Sequence, residues 1–116
     1  MMKESDVRTV LENARKIVNA EMVSKVGAVF QFALKSGSGV SEVFFDLKNG
    51  DGRVEEGRVE SADVHFELDA SNFGKLFNGE LSATKAFMSG QLKITGDMNK
   101  ALKLEGMLNK MNKSKL

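Results

Sequence analysis

The sequence contains no cysteine and no proline, and its only histidine is His65. Without cysteine the chain can form no disulfide, no thiolate nucleophile and no cysteine-ligated metal site. A single histidine, with no second imidazole or thiolate, cannot complete a zinc site from the usual ligands. The sequence also lacks a G-x-S-x-G nucleophile elbow, so it offers little support for a hydrolase triad. We therefore expect no metal and no cofactor.

Long hydrophobic runs are absent as well. The most apolar stretch, VGAVFQFAL at residues 26–34, is far shorter than the roughly 20 residues that a membrane-spanning helix needs. The N-terminus, MMKESDVRTV, is charged from Lys3 onward and has no apolar signal region, so we expect no secretion. We expect residues 1–116 to form one domain with a substantial core.

The chain has almost no net charge, but its charges are unevenly spread. The formal net charge of +1 argues against electrostatic nucleic-acid binding. Residues 1–41 carry +2, residues 42–69 carry −6, and residues 70–116 carry +5. This asymmetry has two interpretations: an ordinary solvated surface, or a basic C-terminal half that touches anionic lipid headgroups.

Hydrophobic periodicity predicts a helix and then strands in the first half. Ser5 is a suitable N-cap, and apolar residues recur at three- and four-residue steps as far as Val18. From Lys25 to Lys35 the period becomes two, which predicts a strand with Gln31 on its solvent-facing side.

Three further strands are predicted at residues 40–48, 53–56 and 64–68. The first two flank NGDG (residues 49–52), a strong hairpin signal because Asn and Gly tolerate positive φ. This part of the sheet therefore reads as an antiparallel meander with one solvated face.

The second half returns to helical patterns. Ser71 and Ser82 are predicted caps of two short helices, which end at Asn78-Gly79 and Ser89-Gly90. A last strand is predicted at residues 91–95, and Asp97 caps a final helix that includes Met111. Together the elements predict an α+β domain whose largely antiparallel five-stranded sheet is covered by helices.

Charged and glycine-rich stretches offer little chemistry. His65 alternates with carboxylates on the polar side of a strand, which is typical of a surface imidazole. A calcium loop starting at Asp46 fails because Lys48 and Gly50 stand where oxygen ligands are needed. A dinucleotide fingerprint fails because Glu55 stands where a glycine is required.

Apolar side chains gather in the short helices and the tail. Methionine adapts to variable apolar shapes, so this group could either complete the core or line a cavity between helices and sheet. The residues are Phe73, Phe77, Phe87, Met88, Met98, Met107 and Met111. From the residues alone, packed core is the default interpretation.

The stretch AFMSGQLKITGDMNKALKL at residues 86–104 resembles the signature of the sterol carrier protein type 2 family. Phe87 and Met88 occupy the positions of an aromatic pair. The resemblance continues through FFDLKNGDGRV (44–54) and ADVHFELDASNFGKLFNGEL (62–81), and with the N-terminal helix it covers essentially the whole chain.

The resemblance implies a carrier that is not an enzyme and that shelters fatty acids, fatty acyl-CoA or sterols in an apolar tunnel closed by the C-terminal helix. It implies ligand contact for a set of mostly apolar side chains, although core packing remains the alternative for each. They are Phe30, Phe32, Phe73, Phe77, Phe87, Met88, Gln91, Leu102, Met107, Leu108 and Met111. An anionic headgroup is expected near Arg15, Lys16, Lys100 or Lys103.

The chain ends in Ser114-Lys115-Leu116, and Ser-Lys-Leu at a free C-terminus is a peroxisomal address. The resemblance strengthens this interpretation because many members of the family are peroxisomal. The signal also requires an exposed tail, so we expect the final helix to end near Asn112. We expect a stand-alone monomer that is located in peroxisomes and also in the cytoplasm. We expect it to bind an import receptor and to contact membranes transiently.

Three functions stay open at this point. The first is a soluble lipid carrier, and the second is an accessory module that docks on β-oxidation enzymes to present acyl substrates. The third is an unrecognised enzyme such as an acyl hydrolase.

Overall fold

The computed structural model describes residues 4–37, 39–78 and 80–114. In chain order the elements are α1 (Glu4–Ile17), α2 (Ala20–Val26), β1 (Ala28–Ser36), β2 (Gly39–Leu47), β3 (Arg53–Glu56), β4 (Val64–Asp69), α3 (Ala70–Asn78), α4 (Ala83–Met88), β5 (Leu92–Gly96) and α5 (Met98–Ser114). The predicted α+β class and the five strands are confirmed. None of the described helices is long and apolar enough to cross a membrane.

The five strands form one sheet in the order β3-β2-β1-β4-β5. β1 with β2, β2 with β3, and β4 with β5 are antiparallel, whereas β1 and β4 are parallel. The NGDG turn joins β2 to β3 as predicted, and Asp46 Oδ1 accepts hydrogen bonds from the amides of Lys48 and Asn49 there. The predicted continuation of the meander into β4 is wrong, because the chain crosses the sheet to reach the far side of β1.

Gln31 explains how the crossover is held. Its side chain is 2% exposed. Its Nε2 donates to the carbonyls of Val43 and Gly57, and its Oε1 accepts from the amide of Val59 at 2.8 Å. The amide and carboxylate of Asp63 then bond to the backbone of Val29, next to β4. Gln31 is therefore not the solvent-facing residue predicted, because the segment after β3 covers it and uses all its polar atoms.

The opposite face of the sheet carries an aromatic core under α1 and α3. Phe32 lies at its centre, stacked on Phe66 with ring centroids 4.7 Å apart. Phe45 and Phe73 pack at 5.2 and 5.3 Å from the same ring. Such pairs each add about 0.5–1.5 kcal/mol beyond simple burial. This cluster fixes the helices against the middle of the sheet.

Several helix boundaries differ from the prediction. α1 begins at Glu4, before the predicted cap Ser5, and α3 begins at Ala70, before the predicted cap Ser71. The unpredicted helix α2 takes Val26 out of the first strand. It forms because the Asn19 side chain accepts from the amide of Met22 at 3.0 Å, and because Gly27 ends it at φ 62°.

Candidate functional site

A groove opens at the β5 edge of the sheet, between α4, β5 and α5. Its volume is about 140 Å³. We call it the α4–α5 groove, and it is lined by Phe66, Ala83, Thr84, Phe87, Ile94, Met98, Ala101, Leu102 and Glu105. The groove is open to solvent, since Phe87 and Leu102 are 43% and 58% exposed.

Helix α4 forms one wall of the groove, and capping contacts at both of its ends keep it short. The Ser82 side chain accepts from the amide of Lys85, as expected of the predicted cap. The chain leaves the helix at Ser89, whose amide donates to the carbonyl of Lys85. Ala86 is buried and seats the helix, which leaves Phe87 directed to the groove.

Helix α5 forms the other wall, and Gly96 sets where it begins. A Cβ atom on Gly96 would collide with the carbonyl oxygen of Asp63, and its φ is 111°. Only glycine therefore lets β5 stay close to the start of β4 before the chain turns. Asp97 then caps α5 as predicted, accepting from the amides of Asn99 and Lys100.

Two polar side chains line the groove, and they bond to each other. The Glu105 carboxylate accepts from the hydroxyl of Thr84 at 2.7 Å, from the amide of Thr84 at 2.9 Å and from the hydroxyl of Ser82 at 3.2 Å. Partial burial raises the pKa of Glu105, but these hydrogen bonds lower it by more, so its pKa lies below the ordinary glutamate value. Glu105 thus fastens α5 to the start of α4.

The groove has the chemistry of an apolar binding site. Most of its lining is hydrocarbon, and its carboxylate is already engaged. Within the part of the chain that the structure describes, no group of three acidic or histidine side chains could hold a metal ion. His65 is exposed on β4 and projects from the other face of the sheet, away from the groove. The lining therefore matches an apolar group better than a charged one.

The groove is small in the present structure. Its volume of about 140 Å³ resembles that of an apolar cavity that holds one benzene ring. Ligand pockets commonly measure about 300–1,000 Å³. A long acyl chain therefore requires the walls to separate or the ligand to extend beyond the described lining.

The family model of the SCP-2 sterol transfer family matches residues 8–109. The chain belongs to this family. The resemblance seen in the sequence is thereby confirmed, and the domain is a lipid-binding fold.

Relatives and solved structures agree with this family. Hydroxysteroid dehydrogenase-like protein 2 from Xenopus tropicalis is 43% identical over 109 residues, which are 93% of this chain and 26% of that protein. The chain thus spans about a quarter of the length of the curated relatives it matches.

Two solved structures of the SCP-2 fold are close in shape. The apo form of sterol carrier protein 2 from Yarrowia lipolytica has a TM-score of 0.70 and 33% identity, with 90% of this chain and 84% of that chain covered. Palmitated SCP2L2 from Aedes aegypti has a TM-score of 0.70 and 25% identity, with 93% of this chain and 95% of that chain covered.

The ligand residues expected of this SCP-2 domain fall in several places. Phe87 and Leu102 line the groove. Phe30, Phe32 and Phe73 are fully buried and lie behind it in the core, with Phe66 between Phe32 and the groove. Met88 and Gln91 are exposed and outside the lining. For Phe77, Met107, Leu108 and Met111 the structure describes the backbone and not the side chain. Ligand contact by this set stays a prediction.

The candidate headgroup cations are also separated. Arg15 donates to the carbonyl of Val54 at 2.7 Å and pairs with Glu55, at the β3 edge of the sheet. The groove lies at the β5 edge, so Arg15 is remote from it. Lys100 donates to the carbonyl of Val26 at 3.4 Å, whereas Lys103 is exposed next to Leu102 on α5.

Sequence reasoning missed several lining residues. Glu105 was not among the expected residues, although it follows Met98 and Leu102 at steps of four and three on one side of α5, and this spacing could have identified it. Thr84 carried no comparable signal, because its role depends on meeting Glu105 from a distant part of the chain.

Proposed function

We propose that this protein is a non-enzymatic carrier that binds fatty acids, fatty acyl-CoA or sterols with their apolar part in the α4–α5 groove. The observation that carries the proposal is an open groove lined mainly by hydrocarbon in an SCP-2 family fold. The palmitated relative supports a fatty acyl chain as one ligand.

Burial of hydrocarbon supplies the driving force. Each CH₂ group withdrawn from water contributes about 0.8 kcal/mol, so a long chain needs few polar contacts. Thr84 and Glu105 already satisfy each other, so selection by polar groups within the groove is weak. We therefore expect loose specificity, with chain length mattering more than the headgroup.

Movement of α5 is part of the proposal, because the groove must widen to take a long chain. α5 would act as the lid of the apolar tunnel, and Met107, Leu108 and Met111 would cover the ligand or the tunnel mouth. We expect Met107→Asp or Leu108→Asp to weaken lipid binding more than it lowers the melting temperature of the lipid-free protein. Equal losses in both would assign these side chains to plain core.

A second candidate function is an accessory module that presents acyl substrates to an enzyme, such as one of peroxisomal β-oxidation. The observation that favours it is the greater length of relatives named hydroxysteroid dehydrogenase-like protein 2, of which this chain matches 26%. Useful lipid affinity without any partner would favour the carrier over the module.

The site of action is proposed from the C-terminal tripeptide. Ser114-Lys115-Leu116 would direct the protein to peroxisomes through the import receptor. α5 runs to Ser114, two residues beyond its expected end near Asn112, and Lys115 and Leu116 lie outside the described residues. Coupling of ligand binding to exposure of the signal would be contradicted by equal receptor affinity of empty and loaded protein.

The test begins with native mass spectrometry of the purified full chain, followed by displacement of a fluorescent fatty acid. Co-purified lipid and saturable one-site displacement are expected, and acyl-CoA and sterol as competitors would rank the ligand classes. A protein that arrives empty and binds none of them would contradict the carrier. Formation of product from acyl-CoA, lost on changing a single residue, would instead support an acyl hydrolase.

A further inference from the structure

Exposed apolar side chains concentrate at one corner of the molecule. Among the described residues, five large hydrophobic side chains are clearly exposed, and four lie on α4 and the first two turns of α5. We call these four the apolar rim: Phe87 (43% exposed), Met88 (80%), Met98 (41%) and Leu102 (58%). Contiguous exposed apolar surface of this kind usually marks an interaction site.

The apolar rim surrounds the opening of the groove. Phe87, Met98 and Leu102 also line the groove, whereas Met88 lies outside the lining. Whatever covers the rim therefore stands directly over the groove, and a lipid could pass between the two without crossing water.

Positive charge flanks the apolar rim. Lys85 precedes Met88 by one helical turn, and Lys103 follows Leu102; both lysines are exposed. Neither lysine forms an ion pair with a carboxylate in the described part of the chain. Residues 83–106 contain four lysines and two acidic residues. Those acids, Asp97 and Glu105, are engaged in helix-end hydrogen bonds.

We propose that the apolar rim docks on the surface of an anionic lipid bilayer, with Lys85 and Lys103 against the headgroups. Apolar side chains inserted at the interface combined with lysines above it are the two contributions that together give peripheral membrane binding. The proposal deepens the carrier function and rests on it, since docking places the groove opening against the lipid that the carrier would load or release.

The experiment measures co-sedimentation of the full chain with vesicles. Vesicles of phosphatidylcholine are compared with vesicles that also contain phosphatidylserine, at low and high salt. Binding is expected to the anionic vesicles and to weaken as salt screens the lysines. Equal binding to both vesicle types, or none to either, would overturn the proposal.

Matched variants locate the surface. Met88→Glu is expected to weaken binding to anionic vesicles about tenfold or more, whereas Val40→Glu, at a site 62% exposed in β2, should leave it unchanged. Lys85→Gln should weaken it about fivefold, and Lys48→Gln in the β2–β3 turn should not. Equal effects within either pair would place the docking surface elsewhere.

A third arm separates docking from lipid capture and from self-association. Protein loaded with palmitate should still bind the vesicles. If loading abolishes binding, the vesicle binding of the empty protein comes from uptake of a vesicle lipid into the groove and not from docking. A dimer that dissociates in Met88→Glu while no vesicle binding occurs would assign the apolar rim to a second copy. Failure of vesicle binding with intact fatty-acid displacement overturns docking alone, whereas vesicle binding without displacement overturns the carrier alone.

Discussion

Two regions of this domain use the same kinds of side chain in opposite ways. Around Phe32 the rings of four phenylalanines are in contact, and Phe32 itself is fully buried. At the β5 edge Phe87 is 43% exposed and faces a groove. Helices α1 and α3 cover the ring cluster at the sheet centre, whereas α4 and α5, which meet through Glu105, leave a groove open at the β5 edge. Phenylalanine thus closes the core at the centre of the sheet and leaves an open apolar groove at its edge.

The largest loss of stability should come from a substitution in the buried ring cluster around Phe32. Phe32→Ala removes the ring at the centre of the cluster and should cost about 3–5 kcal/mol of unfolding free energy. Phe87→Ala should cost less than about 1 kcal/mol, because this ring is already half in water. Urea denaturation measures both. Similar losses for the two variants would show that the edge is core as well.

The next largest loss of stability should follow substitution of Gln31, which is buried on the face of the sheet opposite the ring cluster. Gln31→Leu leaves the amide of Val59 and the carbonyl of Gly57 without their partner, and should cost about 1–3 kcal/mol. Gln91→Leu is the matched control, because Gln91 is exposed. Hydrogen exchange at Val59 should become faster only in the first variant. Unchanged exchange there would remove Gln31 from its role as the anchor of the crossover.

A change in the groove should act on binding and hardly on folding. Leu102→Asp places a charge in the lining and should weaken fatty-acid affinity about tenfold, by the loss of roughly one buried side chain. Val40→Asp makes the same kind of change at a similarly exposed site in β2. Fluorescent displacement and thermal melting are measured on both. Equal fatty-acid affinity in the two variants would show that the ligand does not bind in the groove.

The smallest effect should come from the contact between α4 and α5. Because the pKa of Glu105 is lowered in the folded state, the unfolded chain takes up the proton first as the pH falls. The stabilisation is therefore present above the ordinary glutamate pKa and is lost as the pH drops through the folded-state value. Solvent screening keeps it below about 1 kcal/mol.

Glu105→Gln tests this contact. At neutral pH it should lower the unfolding free energy by that small amount, and the difference from the unchanged protein should shrink in acid. Glu60→Gln, at an exposed position, provides the control. A difference that persists unaltered at low pH would show that the charge of Glu105 is not what holds α5 to α4.

Local patterns predicted much of this fold. Alternation placed Phe30, Phe32 and Leu34 on one side of β1, and Asn49-Gly50 predicted the hairpin that follows β2. The caps Ser82 and Asp97 were also evident, because a cap depends on neighbours within three residues. These features are decided over short stretches of chain, where the sequence carries the whole interaction.

Long-range choices were not predictable in the same way. The parallel pairing of β1 with β4 depends on a crossover whose backbone is held by Gln31, a residue that periodicity places in water. The lining of the groove depends on Thr84 meeting Glu105 across 21 positions. Neither of these long-range contacts produces a periodic pattern in the sequence. The family resemblance indicated a lipid site, but it did not separate Phe87, at the groove, from Phe73, in the core.

The most direct measurement is a set of intermolecular nuclear Overhauser effects between carbon-labelled palmitate and the methyl groups of the protein. The proposed site predicts contacts to Ile94, Met98 and Leu102, and none to Val40. Contacts confined to other methyl groups, or no contact with palmitate in excess, would contradict the assignment of the α4–α5 groove as the lipid site.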